Sequence, residues 1–319
     1  GSAHLEHVEA QLGIAPRASV IIEPEAKNTA AAIALAALRV PDDAVMLVCP
    51  SDHHIGDATA FAQAARAAAA LAEQGWLVSF GIEAKSPETG FGYLKRGEAI
   101  DASGFRVAQF VEKPDLARAK SFLAEGIYAW NGGIFAFRVK DFLDELETFR
   151  PAIAIAAVKA VRDGRETGQR FYPDAKAFAA IKGESVDYAV MENTARAAMV
   201  PADMAWSDIG NWQALHDARG QDEAGNSVVG PAEHPLGQLH GWRRVGLRRA
   251  HDNQRIADAL DLGADGAQQL GHPLHVGQRR HVGQDVATFG EQRRSHQLED
   301  RVLRARHPDR ARQRVRRLN

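Results

Sequence analysis

Residues 44–54 read AVMLVCPSDHH. The apolar run from Ala44 to Cys49 passes directly into Pro50-Ser51-Asp52-His53-His54. An unbroken apolar stretch closed by turn residues predicts a strand covered on both faces, as in a parallel sheet, with Cys49 buried. The pattern repeats on either side. Residues 57–74 form an alanine-rich helical stretch with Gly75 as its stop, and 77–81 is a second apolar strand. Upstream, Asn28 or Thr29 can cap a helix running to Leu38, after a short strand at 19–23 and helical spacing of Leu5, Val8 and Leu12. Strand alternating with helix predicts an α/β architecture with a mostly parallel sheet. Ligands bind such sheets beyond the carboxyl ends of the strands, which is where Asp52 falls.

The middle of the chain has a different texture. Thr89-Gly90-Phe91-Gly92-Tyr93-Leu94 is a glycine-rich turn. Residues 105–112 alternate as a strand and end in Glu112-Lys113-Pro114, and 116–123 read as a helix. Trp130-Asn131-Gly132-Gly133 predicts a tight turn into the strand that follows. Helices are expected at 141–149 and 152–161, with a further turn-rich segment, Trp206 to Trp212, carrying Asp208.

The chain has 319 residues, 45% apolar and 25% charged, the composition of a globular protein. No run of about 18 apolar residues suggests a membrane span. The sequence starts with no basic patch followed by an apolar stretch, so no signal peptide is expected. The single cysteine excludes an internal disulfide framework. The expectation is a cytoplasmic protein. The net charge of −2 hides an asymmetry. Residues 231–319 hold 17 of the 39 basic residues and 10 of the 41 acidic ones, a net of +7 against −9 before them. That stretch has no lysine and only one Phe, one Ile and one Trp. With little to bury, it offsets poorly the ordering entropy of about 1–2 kcal/mol per residue. The reading is a domain over 1–228 and an Arg-, Gln- and His-rich tail over 229–319, poorly structured or out of frame. Nucleic-acid binding by the tail is disfavoured, since no aromatics are interleaved with the arginines.

Asp52 and Asp208 each follow apolar segments. Brought together, two carboxylates can hold Mg²⁺, which takes one or two carboxylates plus substrate phosphates. Capping of local turns explains each equally well, and more often. Lys113 could face a phosphate or simply solvent. Gly90, Gly92, Gly132 and Gly133 suit close approach of backbone to a ligand, as they suit ordinary turns. His53 and His54 read as ligands, bases or plain loop residues.

Seven segments nonetheless occur together in a fixed order: EPEAKNTAAAIALAA (23–37), VCPSDHHI (48–55), PETGFGYLKRG (87–97), FVEKPD (110–115), YAWNGGIFAFR (128–138), SVDYAVMENT (185–194) and WSDIGNWQAL (206–215). Over roughly 5–228 the chain resembles the mannose-1-phosphate guanylyltransferases, within the sugar nucleotidyltransferases. The bacterial long-chain branch, some members of which add an isomerase domain, is the nearest likeness. The resemblance implies a Rossmann-like nucleotidyltransferase domain that joins GTP and mannose 1-phosphate into GDP-mannose and pyrophosphate. It implies Mg²⁺ on Asp52 and Asp208, with Pro50 beside them. It places the nucleotide near Glu23, Asn28 and Thr29. It places the sugar phosphate near Gly92, Tyr93, Glu112, Lys113, Asn131, Gly132 and Asp187, with Lys113 at the phosphate. Another sugar 1-phosphate and nucleotide, or a nucleotide-sugar-binding protein without turnover, are the alternatives. A homodimer is compatible with the resemblance, and no membrane partner is expected.

Two departures accompany it. The family's glycine-rich loop of the form GGxGxRLxPxS does not occur in these 319 residues. Its strand–loop–helix unit would precede the first matching segment, so an unpaired sheet edge is expected. Beyond about Val228 the likeness fades, and no isomerase constellation is expected.

Overall fold

The computed structural model describes residues 4–12, 18–219, 221 and 227. The expectation for 229–319 lies outside the described residues.

The elements follow the sequence pattern closely. Helix α1 (Leu5–Leu12) and strand β1 (Val20–Ile21) lead to α2 (Asn28–Ala37), β2 (Val45–Val48), β3 (His54–Ile55) and α3 (Ala58–Glu73). Asp57 caps α3 by accepting from the Ala60 N–H at 2.9 Å, and Gly75 ends the turn after it with φ +91°. Then come β4 (Leu77–Glu83), β5 (Tyr93–Ala99), β6 (Phe105–Val111), α4 (Leu116–Glu125) and β7 (Tyr128–Arg138). Helices α5 (Val139–Phe149) and α6 (Pro151–Arg162), the hairpin β8 (Arg165–Thr167) and β9 (Arg170–Tyr172), and α7 (Ala175–Ala179) follow. A π-helical turn (Asp187–Met191), β10 (Ala197–Pro201), β11 (Trp206–Ser207) and α8 (Trp212–Asp217) complete the described chain.

Six strands form the central sheet in the order β2-β7-β4-β10-β6-β5. Two apolar cores flank it. One joins α2, α5, α6 and α7 to Phe135 and Phe137 of β7. The other joins α3 and α4 to Ile134 and Ala136 on the opposite face of the same strand. This is the α/β layering read from the sequence, with strand β7 alternating its side chains between the two cores.

Three expectations need correction. The sheet is mixed, but not mostly parallel: within it only β4 and β10 run parallel, while β2–β7, β4–β7, β5–β6, β5–β7 and β6–β10 are antiparallel. The cause is β7. The expected tight turn at Asn131-Gly132-Gly133 does not reverse the chain; the segment stays extended and inserts antiparallel between β2 and β4, with a register shift between Ser79 and Gly81. Strand β2 therefore ends up at the sheet edge, half-buried along its length, and Cys49 is exposed rather than buried. An edge position leaves the apolar run partly exposed. Finally, neither Asn28 nor Thr29 caps α2 in the usual way. Asn28 is the first helical residue, with φ +65°, and the residue before it, Lys27, makes no side-chain cap bond.

Candidate active site

The small ladder of β3 and β11 is the element that builds the site. Its antiparallel register pairs Trp206 with Ile55 and Ser207 with His54. Backbone bonds extend it, from Gly56 N–H to Ala205 O at 3.2 Å and from Asp57 N–H to Met204 O at 3.0 Å. Continued the other way, the same register carries Asp208 and Asp52 to one end of the ladder. Both carboxylates act electrostatically on the His53 ring. Burial is the larger influence on that ring and holds its pKa below the usual value. Residues 156 positions apart in the chain thus share one locality, although their spacing alone favoured separate turn caps. Asp208 does cap a turn as well, accepting from Gly210 N–H at 3.0 Å.

A second group of side chains forms beside the start of β7. Asn131 Nδ2 donates to Asp187 Oδ1 at 2.8 Å, and Asn131 N–H donates to Gly92 O at 2.8 Å. Glu112 pairs with Lys113 and reaches over Gly92, where a Cβ would collide with its carboxylate. That is the close approach Gly92 exists to permit. Burial, followed by the charge of Glu112, raises the Asp187 carboxyl above its ordinary value. Glu192 is raised for the same leading reason. The hydrogen bond from Lys113 to Glu112, more than anything else, raises the lysine. This group of side chains is therefore acidic, with Lys113 paired to Glu112 within it.

The residues expected on the nucleotide side adjoin this group. Thr29 Oγ1 accepts from Val186 N–H at 2.9 Å, next to Asp187, and Asn28 Oδ1 accepts from Thr29 N–H at 2.8 Å. Glu23 Oε1 is buried with no hydrogen-bond partner, and burial raises its carboxyl. An orphaned carboxylate oxygen is costly unless a ligand satisfies it. Pro50 stands beside Gly133.

Tyr93 and Gly132 also have packing roles. Tyr93 is fully buried, its ring against Phe122 and its hydroxyl donating to Glu88 O at 2.9 Å. Its side chain braces the turn from within the core. The bare α-carbon of Gly132 faces Phe80 and Ile82 of β4, a packing role within the sheet.

The sequence reading assigned no role to Phe91, Trp206 and Glu192. Each lies inside a quoted segment, and the aromatic character of the first two was the available signal. A further sign is backbone strain. The four non-glycine residues with positive φ among those described are Asn28 (65°), Lys113 (47°), Ala205 (50°) and Ile209 (51°). Two are candidate site residues and two flank the Trp206–Asp208 segment. Strain of this kind collects at functional sites.

The α/β layering, the acid pair and the strained backbone around it define a class: an α/β domain with a candidate site beyond the strand ends of a mixed sheet. Residues 2–225 match the family described as Nucleotidyl transferase, and the chain belongs to that family. The chain is 50% identical over 223 residues to the xanthan biosynthesis protein XanB of Xanthomonas campestris pv. campestris (strain B100), a match covering 69% of this chain and 47% of XanB. It is 46% identical over 221 residues to a mannose-1-phosphate guanylyltransferase of Klebsiella pneumoniae, covering 67% of this chain and 47% of that protein. Among solved structures, one titled as mannose-6-phosphate isomerase from Helicobacter pylori superposes with TM-score 0.60 at 31% identity, covering 65% of this chain and 82% of that one. The chain spans about half the length of the curated relatives it matches. No helix among the described residues is long and apolar enough to cross a membrane.

Proposed function

We propose that residues 1–228 are the nucleotidyl-transfer domain of an enzyme that forms GDP-mannose and pyrophosphate from GTP and mannose 1-phosphate, feeding polysaccharide biosynthesis. The observation that carries this reading is the β3–β11 ladder, which delivers Asp52 and Asp208 to one end, both within electrostatic range of His53. The names of the XanB and guanylyltransferase relatives support the substrate assignment.

The donor set fits Mg²⁺. Two carboxylates would leave the remaining positions to phosphate oxygens and water. A bound Mg²⁺ would supply charge neutralisation at the nucleotide α-phosphate. The chain's own residues do the rest. Asp52 and Asp208 hold the cation side of the cleft. Lys113 offsets the repulsion between the two anionic substrates. Asn131, Asp187 and Glu112 accept or donate to sugar hydroxyls, and Glu23, Asn28 and Thr29 face the nucleotide. The attacking phosphate oxygen is already ionised, so positioning and charge compensation suffice and no general base is required. A substrate set of GTP and sugar phosphate also agrees with a cytoplasmic location.

The test is pyrophosphate release and GDP-mannose formation by the full chain with GTP, mannose 1-phosphate and Mg²⁺. A parallel arm uses UTP with glucose 1-phosphate. Turnover confined to the first arm is the expected result. Faster turnover in the second arm reassigns the substrate. Nucleotide-sugar binding without turnover in either arm points to a binding protein instead.

A further inference from the structure

A continuous line of aromatic contacts connects the two halves of the site. Phe91, at the tip of the 89–92 turn, packs edge-on against Trp206 with centroids 5.5 Å apart and against Trp130 at 5.2 Å. Trp206 in turn donates its indole N–H to His53 Nδ1 at 3.1 Å and meets that ring edge-on at 5.2 Å. A nitrogen that accepts a hydrogen bond carries no proton, so the neutral His53 ring must hold its proton on Nε2. The same ring lies over the backbone of Gly133, whose Cβ position is 3.4 Å from His53 Cε1. Gly133 N–H donates to Asn131 Oδ1 at 3.3 Å, and Asn131 holds Asp187 and Gly92. An aromatic contact route therefore runs from the sugar-side turn to His53. Trp206 itself belongs to the ladder that carries Asp208, two residues on.

We propose that Trp206 is a positioning residue: by gripping His53 with its indole N–H and Phe91 with its ring edge, it locks the Asp52–Asp208 ladder to the 89–92 turn, so that binding of the sugar phosphate and of the divalent cation become mutually dependent. The proposal rests on the functional reading above. It assigns Trp206 no contact with substrate. Its effect is transmitted through the placement of the ladder, which two left-handed residues, Ala205 and Ile209, hold in a strained path that needs outside support. Coupling is reciprocal by thermodynamic necessity: whatever the sugar phosphate does to cation affinity, the cation does to sugar-phosphate affinity.

The experiment measures Mn²⁺ affinity of the full chain by electron paramagnetic resonance, with and without saturating mannose 1-phosphate. Calorimetry establishes independently that the sugar phosphate binds. The expected result is a coupling of roughly five- to tenfold in the wild-type chain, at the low end of ordinary allosteric factors. It should collapse towards one in Phe91→Ala and in Trp206→Phe, which keeps a ring but loses the N–H. Phe91→Tyr, which restores an aromatic edge, should retain it. Far-UV circular dichroism checks each variant for folding, and Phe91→Leu replaces Phe91→Ala if the latter unfolds. Wild-type coupling that survives in both Phe91→Ala and Trp206→Phe overturns the proposal, as does sugar-phosphate binding with no coupling in the wild type. Absence of any mannose 1-phosphate binding is a separate result that removes the functional reading and this proposal together.

Discussion

At the scale of single residues, the site is where this protein departs from comfortable chemistry. Lys113 takes a left-handed backbone, Glu23 leaves a carboxylate oxygen unpaired, and Asp187 is half-buried within reach of the Glu112 charge. Asp52→Asn or Asp208→Asn should lower turnover roughly a thousandfold, the equivalent of about 4 kcal/mol of lost transition-state stabilisation. Steady-state kinetics against Mg²⁺ concentration checks this, and an unchanged metal dependence in Asp52→Asn removes that residue from the metal site. Lys113→Ala should act mainly on the acceptor, raising KM for mannose 1-phosphate about tenfold or more with a smaller change in kcat. Glu23→Gln separates function from stability. If the carboxylate awaits a ligand, the variant should bind GTP about tenfold more weakly by calorimetry, while its Tm holds or rises, because a costly orphan has been neutralised. Equal GTP affinity in the two proteins would contradict the assignment of Glu23 to the nucleotide.

At the scale of elements, the two-residue strands β3 and β11 matter more than their length suggests. Their ladder leads directly into the N-terminus of α3, where Asp57 both bonds back to Met204 and caps the helix. Asp57→Ala should cost about 1 kcal/mol of stability, the usual worth of an N-cap. Urea denaturation at unchanged m-value would show it. The long elements were legible from sequence: α3, β4, β6, α4, α5 and α6 sit where apolar period and turn residues put them. Of the short ones, β1 was legible too, while β3 and β11 were not. Nothing in the run Asn131-Gly132-Gly133 distinguishes a hairpin turn from a bulge inside a strand, since the same glycines serve both. What decides is whether β4 and β2 offer edges on both sides of β7, and that information is not local.

At the scale of the whole molecule, charge networks join segments that lie far apart in the chain. Asp141, at the start of α5, is buried, which by itself would raise its carboxyl, yet Arg138 and Arg196 more than compensate and hold it below the ordinary range. Arg138 Nε approaches it at 2.7 Å and Arg196 Nη1 at 2.9 Å, while Arg196 also binds Glu145. A carboxyl depressed in the folded state contributes stability above its unfolded pKa of about 3.9 and loses that contribution as pH falls through the folded value. Glu184, paired with Arg150, behaves in the same sense. Acid unfolding followed by circular dichroism should therefore have its midpoint below the usual carboxylate range. Arg196→Ala should move that midpoint to higher pH, and an unmoved midpoint would mean the network contributes nothing.

The amino-acid sequence by itself determined the α/β class, most helices, and the segments from which a nucleotidyl transferase site is drawn. These depend on apolar period, caps and short motifs, all of which are local properties of the chain. Tertiary structure alone decided that β7 runs antiparallel through the sheet, that Tyr93 belongs to the core, that Cys49 is exposed, and that Trp206 meets His53 within electrostatic reach of Asp52 and Asp208. Pairing direction and side-chain neighbourhood are set by which distant strands compete for one edge, and no local pattern of residues carries that outcome.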